Sequence, residues 1–162
     1  MAVESIGPYP LSVPDFVTSL EVHNKPPLHR ANAIIDRGVT FDFTVVLGRG
    51  TRDEADQLLS ALVESLAATL RTQERISNGG NDFQRYVYDA ELDGRPITTE
   101  HFIGFPFGDL FHFAVTYDHD EARADSLRML LLSIANGAIV GHGPPTVSAA
   151  SSGSWWKRLL GR

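Results

Sequence analysis

Six histidines, His23, His29, His101, His112, His119 and His142, are the first candidates for chemistry in this chain. An imidazole binds metal ions and moves protons near neutral pH. A zinc hydrolase places two histidines one helical turn apart around a glutamate, and no such HExxH pair occurs. The chain has no cysteine, which removes disulfides, thiolate zinc sites and a cysteine nucleophile. His101 and His112 fall on neighbouring strands of an expected meander and can face each other. Such a pair is either an acid–base or metal-binding couple or, as is ordinary within a sheet, two histidines satisfied by hydrogen bonds.

The acids Asp118, Asp120, Glu121 and Asp125 gather around His119 where a helix should begin. Carboxylates at a helix start interact favourably with its dipole, and the spacing and central glycine of a calcium loop are missing. Gly48-Arg49-Gly50-Thr51 precedes a helix as a phosphate loop would, but it lacks the GxxxxGK[ST] length and the lysine. No GxSxG nucleophile elbow is present. Nothing assembles nucleophile, base and oxyanion donors, so the expectation is a chain that is not an enzyme, with no catalytic residue, metal or cofactor. The competing enzyme reading needs a polar cleft around His101, His112 and Asp109.

Binding is the other chemistry on offer. Phe105 and Phe107 flank Pro106 in an expected turn, which leaves them exposed as contact candidates. Near the C-terminal end of the sequence stand Trp155, Trp156, Lys157, Arg158, Leu159, Leu160 and Arg162. In a helix Trp155, Trp156, Leu159 and Leu160 share a face, with the cations around it. Tryptophan suits protein hot spots and membrane interfaces, and each cation near an anionic surface contributes about 1 kcal/mol. This segment reads as a docking peptide, a weak membrane contact or a tail that packs on its own domain.

The elements that position these residues are legible from periodicity. Residues 1–15, with Pro8, Pro10 and Pro14, read as an extended arm. Residues 16–140 form a single α/β domain. Phe16 to Val22 is an expected strand, and Val39, Phe41, Phe43, Val45 and Leu47 alternate as a strand with one buried face. Thr51-Arg52-Asp53-Glu54 has capping-box spacing, and Leu58, Leu59, Leu62, Val63, Leu66 and Leu70 continue it as an amphipathic helix. A meander follows, over Phe83 to Leu92, Ile97 to Phe105 and Leu110 to Tyr117, with Asp93-Gly94 as its hairpin turn. A second helix carries Leu127, Leu130, Leu131 and Ile134 inward and should stop at Asn136-Gly137. Residues 141–154 read as a Gly/Pro/Ser tether and 155–162 as the basic tail. The fold class is therefore α+β, an antiparallel sheet flanked by two helices. Deleting Ser154 to Arg162 should leave cooperative thermal unfolding intact; its loss would show that the tail belongs to the core.

The formal charge is −6. From Thr146 onward there are three basic residues and no acid, so the negative excess sits on the body. An acidic body argues against nucleic acid. No basic and apolar leader opens the sequence, and the apolar runs read as too short to span a bilayer.

Several short segments carry a resemblance. Leu11-Ser12-Val13-Pro14-Asp15 is similar to an "sLPdgW" segment, Phe43-Thr44-Val45-Val46-Leu47-Gly48-Arg49 to an "f.lvvsR" strand end, Leu92-Asp93-Gly94-Arg95-Pro96 to a "v.GrpA" turn, and Leu130 to Ile134 to a closing helix. These belong to the Mog/PsbP-like α/β/α sandwich, with the Eag-type adaptor chaperones of bacterial type VI secretion as the subgroup it most resembles. The resemblance runs from Leu11 to Asn136. The tryptophan after the Pro-Asp pair is missing, with Phe16 nearby, and the His23 to Arg37 stretch and the tail depart from the pattern. It implies a cytoplasmic, non-enzymatic chaperone that shelters apolar helical segments of a secreted effector on its sheet. The partner expected is a protein, with the tail open to a weak membrane contact and homodimerisation open. A peripheral membrane or complex-assembly protein docked through its tail is the alternative.

Overall fold

The structure, a computed structural model, describes residues 2–36 and 38–142. Strands β1 (Ala2–Ile6) and β2 (Tyr9–Val13) form a hairpin, followed by β3 (Ser19–Lys25), β4 (Leu28–Asp36) and β5 (Val39–Val46). Helix α1 (Arg52–Leu66) leads to β6 (Thr69–Asn78), β7 (Asn81–Leu92) and β8 (Arg95–Gly104). A short 3-10 turn at Pro106–Gly108, β9 (Leu110–Asp118) and α2 (Ala124–His142) complete the order. Seven strands make one antiparallel sheet in the order β3-β4-β5-β9-β8-β7-β6. The helices lie on opposite faces of it, so the α+β class with two flanking helices is the observed one.

Directly opposed residues share a face of a sheet. Phe43, Phe113 and Phe102 are opposed across β5, β9 and β8, and they project toward α2. Phe111, Phe113, Val115 and Tyr117 are all buried there, as their alternation predicts. Phe102 stacks on Phe113 with centroids 5.1 Å apart, and Phe83 meets Phe113 edge-on at 5.0 Å. Aromatic pairs in these geometries add about 0.5–1.5 kcal/mol beyond their buried area.

The arm differs from its reading. It folds back as the β1–β2 hairpin, and Ile6, Tyr9, Leu11 and Val13 are buried under α2 and the sheet. Of its prolines, Pro8 sits in the hairpin turn, Pro10 in β2 and Pro14 just past that strand. The Tyr9 hydroxyl donates to Asp109 Oδ2 at 2.6 Å, and Asp109 Oδ1 accepts from the Gly48 amide at 2.8 Å. Burial first, then the neighbouring Asp109, pushes the Tyr9 phenol well above its ordinary range. Replacing Tyr9 with phenylalanine removes a buried donor to a carboxylate and should cost about 1–3 kcal/mol, read as a lower urea midpoint.

Three further elements depart from expectation. The His23 to Arg37 stretch contains β4, whose inward residues are His29, Ala31, Ala33 and Ile35. The first helix ends at Leu66, where Ala67 takes a left-handed conformation at φ 47°, so Leu70 belongs to β6 and not to the helix. The second helix runs through Gly137 to His142, two residues into the span read as tether. A mid-helix glycine costs about 1 kcal/mol, and burial of Ala138 and Ile139 beyond it offsets that. Asn136 does not stop the helix. Its side chain accepts from Asn81 at 3.0 Å and donates to Asn78, clamping the β6–β7 turn. By length and composition α2 could cross a bilayer, but Leu131, Ala135 and Ala138 are fully buried against the domain.

Candidate functional site

The histidine pair is real and enclosed. His101 Nδ1 and His112 Nε2 are 2.8 Å apart, and the rings stack at 5.1 Å and 10°. Thr99 Oγ1 bonds His101 Nε2 at 3.0 Å and Thr116 Oγ1 at 3.0 Å, while Tyr88 meets His101 edge-on. His112 Nδ1 is buried without a hydrogen-bond partner. Burial pushes His101 down to about 4. Burial, then the neighbouring His101 and Arg30, holds His112 well below the ordinary histidine range. Both rings are therefore neutral at pH 7. Among the described residues no group of three or more His, Asp or Glu is placed to hold a metal ion. Asp109 ties Tyr9 to Gly48.

Of the acids gathered at the start of α2, Asp118, Glu121 and Asp125 are met by arginines. Arg123 binds Glu121 and Asp36, both at 2.8 Å, Arg128 binds Asp125 at 2.7 Å, and Arg95 lies 3.6 Å from Asp118. Hydrogen bonds from Arg123 hold the Glu121 carboxyl down at about 2. The Gly48–Thr51 segment is a turn and a cap, since Thr51 Oγ1 accepts from the Glu54 amide at 3.3 Å.

Open space lies elsewhere, between α1 and the β6–β7 end of the sheet. Helix α1 buries only Ala55 and Leu59 fully, on Tyr88, Ile103 and Leu110. It packs on β7, β8 and β9, most closely on β7, and leaves a channel toward β6. Two clefts of about 240 and 430 Å³ make up this channel, and Arg52, Asp56, Gln73 and Tyr86 line both, so they are continuous. Leu59 and Val63 form the helix wall, and the rings of Tyr86 and Tyr88, 6.5 Å apart and nearly parallel, form the floor. Leu70 stands at one end, 46% exposed, and Phe105 at the other, 41% exposed. The outer lip is β6, an edge strand with one side unpaired. The fifteen-residue α1 gives the channel a length of about 22 Å. It can take a row of apolar side chains from one face of another segment, with Arg52, Asp56 and Glu64 to fix its orientation.

Of the contact candidates read from sequence, Phe105 lines this channel. Phe107 does not; it is half-buried against His142, ring centroids 4.8 Å apart. Trp155, Trp156, Lys157, Arg158, Leu159 and Leu160 lie outside the described residues. Leu70, Tyr86 and Tyr88 were not among the candidates. Their signal was the alternation of Tyr86 and Tyr88 on β7, which marks a face but does not say that the face is half-open.

Comparison with known proteins adds likenesses of backbone layout. No family model matches the chain, and no curated protein matches it. Among solved structures it is similar to a Pseudomonas aeruginosa protein of unknown function, at 14% identity and a TM-score of 0.48, over 82% of this chain and 94% of that one. It is also similar to cyanobacterial PsbP from Synechocystis sp. PCC 6803, at 15% identity and a TM-score of 0.49, over 80% and 84%.

Proposed function

We propose that this chain is a non-enzymatic binding protein that acts as an adaptor or chaperone, holding an apolar segment of a partner protein in the channel between α1 and β6–β7. The observation that carries this reading is the continuity of the channel, with Leu70 and Phe105 exposed at its two ends. Exposed apolar side chains in a concave, polar-rimmed setting mark interaction sites. The unpaired edge of β6 favours an extended or helical segment laid along it. The finer reading is a cytoplasmic adaptor of bacterial type VI secretion with a secreted effector as partner. It rests on the sequence resemblance between Leu11 and Asn136.

A synthetic Leu/Ala helix flanked by lysines is a suitable probe. Its fluorescence anisotropy should show saturable binding to the full chain. Leu70→Asp should weaken that binding by about tenfold or more, the effect of putting a charge in place of an apolar contact. Phe16→Asp, an exposed site outside the channel, should leave it unchanged. Equal binding by wild type and Leu70→Asp would remove the channel from the account.

A further inference from the structure

A separate cleft of about 320 Å³ lies on the opposite side of Phe105, against α2. Phe83, Phe105, Pro106 and Ile139 give it apolar walls, and Asp82 stands at its rim. Gly104 makes room for one of those walls: a Cβ there would lie 2.8 Å from Phe83 Cδ1. Aromatic and aliphatic walls of this kind suit a large aromatic side chain with one polar edge.

The chain itself supplies such a side chain close by. Helix α2 ends at His142, packed on Phe107, two residues from Phe105. Residues 143–154 join that point to Trp155. Twelve residues can reach at most roughly 40 Å, and the cleft, lined by Ile139, begins within the last turn of α2. Charge also matches. Lys157, Arg158 and Arg162 come without an acid in their segment, and the acidic excess lies in the rest of the chain; Asp82 at the rim is itself paired with Arg75 at 2.6 Å.

We propose that Trp155 and Trp156 seat in this cleft against Phe105, folding the basic segment back onto its own domain. Phe105 then serves two ligands, closing the partner channel on its α1 side and receiving the tail on its α2 side. This goes beyond the partner reading, because tail docking requires no partner.

The test uses the full chain alone. Its only two tryptophans are Trp155 and Trp156, so tryptophan emission reports this segment without interference. Docking predicts blue-shifted emission and reduced acrylamide quenching relative to a free peptide of residues 150–162, independent of protein concentration. Phe105→Asp, and separately Lys157→Glu with Arg158→Glu, should each shift emission to the red and raise quenching, whereas Phe16→Asp should change neither. The second variant leaves the described fold untouched, so a red shift there is not a folding effect. Peptide-like emission in the wild type would overturn the proposal. So would a blue shift that appears only at high protein concentration, meaning a second copy, or only with anionic phosphatidylserine vesicles, meaning a membrane. Failure of the synthetic helix to bind the channel would leave these spectra unchanged.

Discussion

Replacing Glu100 with glutamine should destabilise the fold by about 3–5 kcal/mol, the cost of breaking a buried ion pair by removing one partner. Glu100 is fully buried on β8, on the α2 side of the sheet. Arg128 of α2 donates to both its oxygens at 2.7 Å, Arg85 of β7 donates at 2.9 Å, and the Tyr117 hydroxyl of β9 donates as well. One carboxylate thus joins three strands and a helix. Burial alone would raise its pKa; the hydrogen bonds from Arg128 and Tyr117 and the two arginine charges outweigh this and hold it below the ordinary carboxylate range. With glutamine in place, two guanidinium groups converge on a neutral amide. Since a domain's whole stability is about 5–15 kcal/mol, urea unfolding at pH 7 should show the loss clearly. A change below about 1 kcal/mol would mean that solvent reaches the cluster.

Acidification should weaken the protein in a specific window. His101 is neutral in the fold, with its pKa depressed by burial to about 4. The unfolded chain takes up that proton near the ordinary histidine value of about 6.5. Between those values the unfolded state binds more protons, so stability falls as pH falls. The histidine contribution is fully present above about 6.5 and is lost progressively toward about 4. For His101 alone the loss is about 3 kcal/mol, from the shift and the linkage relation. His112, depressed in the same direction, adds to it. The two rings are hydrogen-bonded and titrate as a pair. Urea midpoints measured from pH 7 to pH 4 should show this slope, and a His101→Gln, His112→Gln double variant should flatten it. A midpoint independent of pH across the window would contradict the burial of the pair.

Much of this architecture is legible in the sequence wherever one face is apolar and the other polar. The alternation in β5 and β9, the Asp93-Gly94 turn and the Thr51 cap each act locally, and each is found where the residues place it. Legibility fails where burial is carried by unremarkable side chains. Strand β4 turns His29, Ala31 and Ala33 inward, and alanine gives little periodic contrast. Strand β6 is an exposed edge with only Thr72, Ile76 and Asn78 partly covered, so it has no buried period to read. Leu70 lies four residues after Leu66 and extends the helical pattern on paper, while the left-handed Ala67 ends the helix in fact.

The candidate site follows the same division. Phe105 is visible as an aromatic beside a proline. The channel is not, because it arises from how α1 sits on the sheet. Only Ala55 and Leu59 reach the floor fully, and the offset they set leaves Tyr86 and Leu70 uncovered. That offset is a tertiary property which no single helix or strand pattern encodes.

The most direct test of the binding account is an amide chemical-shift map of the full chain, labelled with ¹⁵N and titrated with the lysine-flanked Leu/Ala helix. The account predicts saturable shifts along α1 and β6–β7 and at Ile103 to Phe105. Shifts confined to β3–β4 or to the outer face of α2, or no shifts at all, would contradict it.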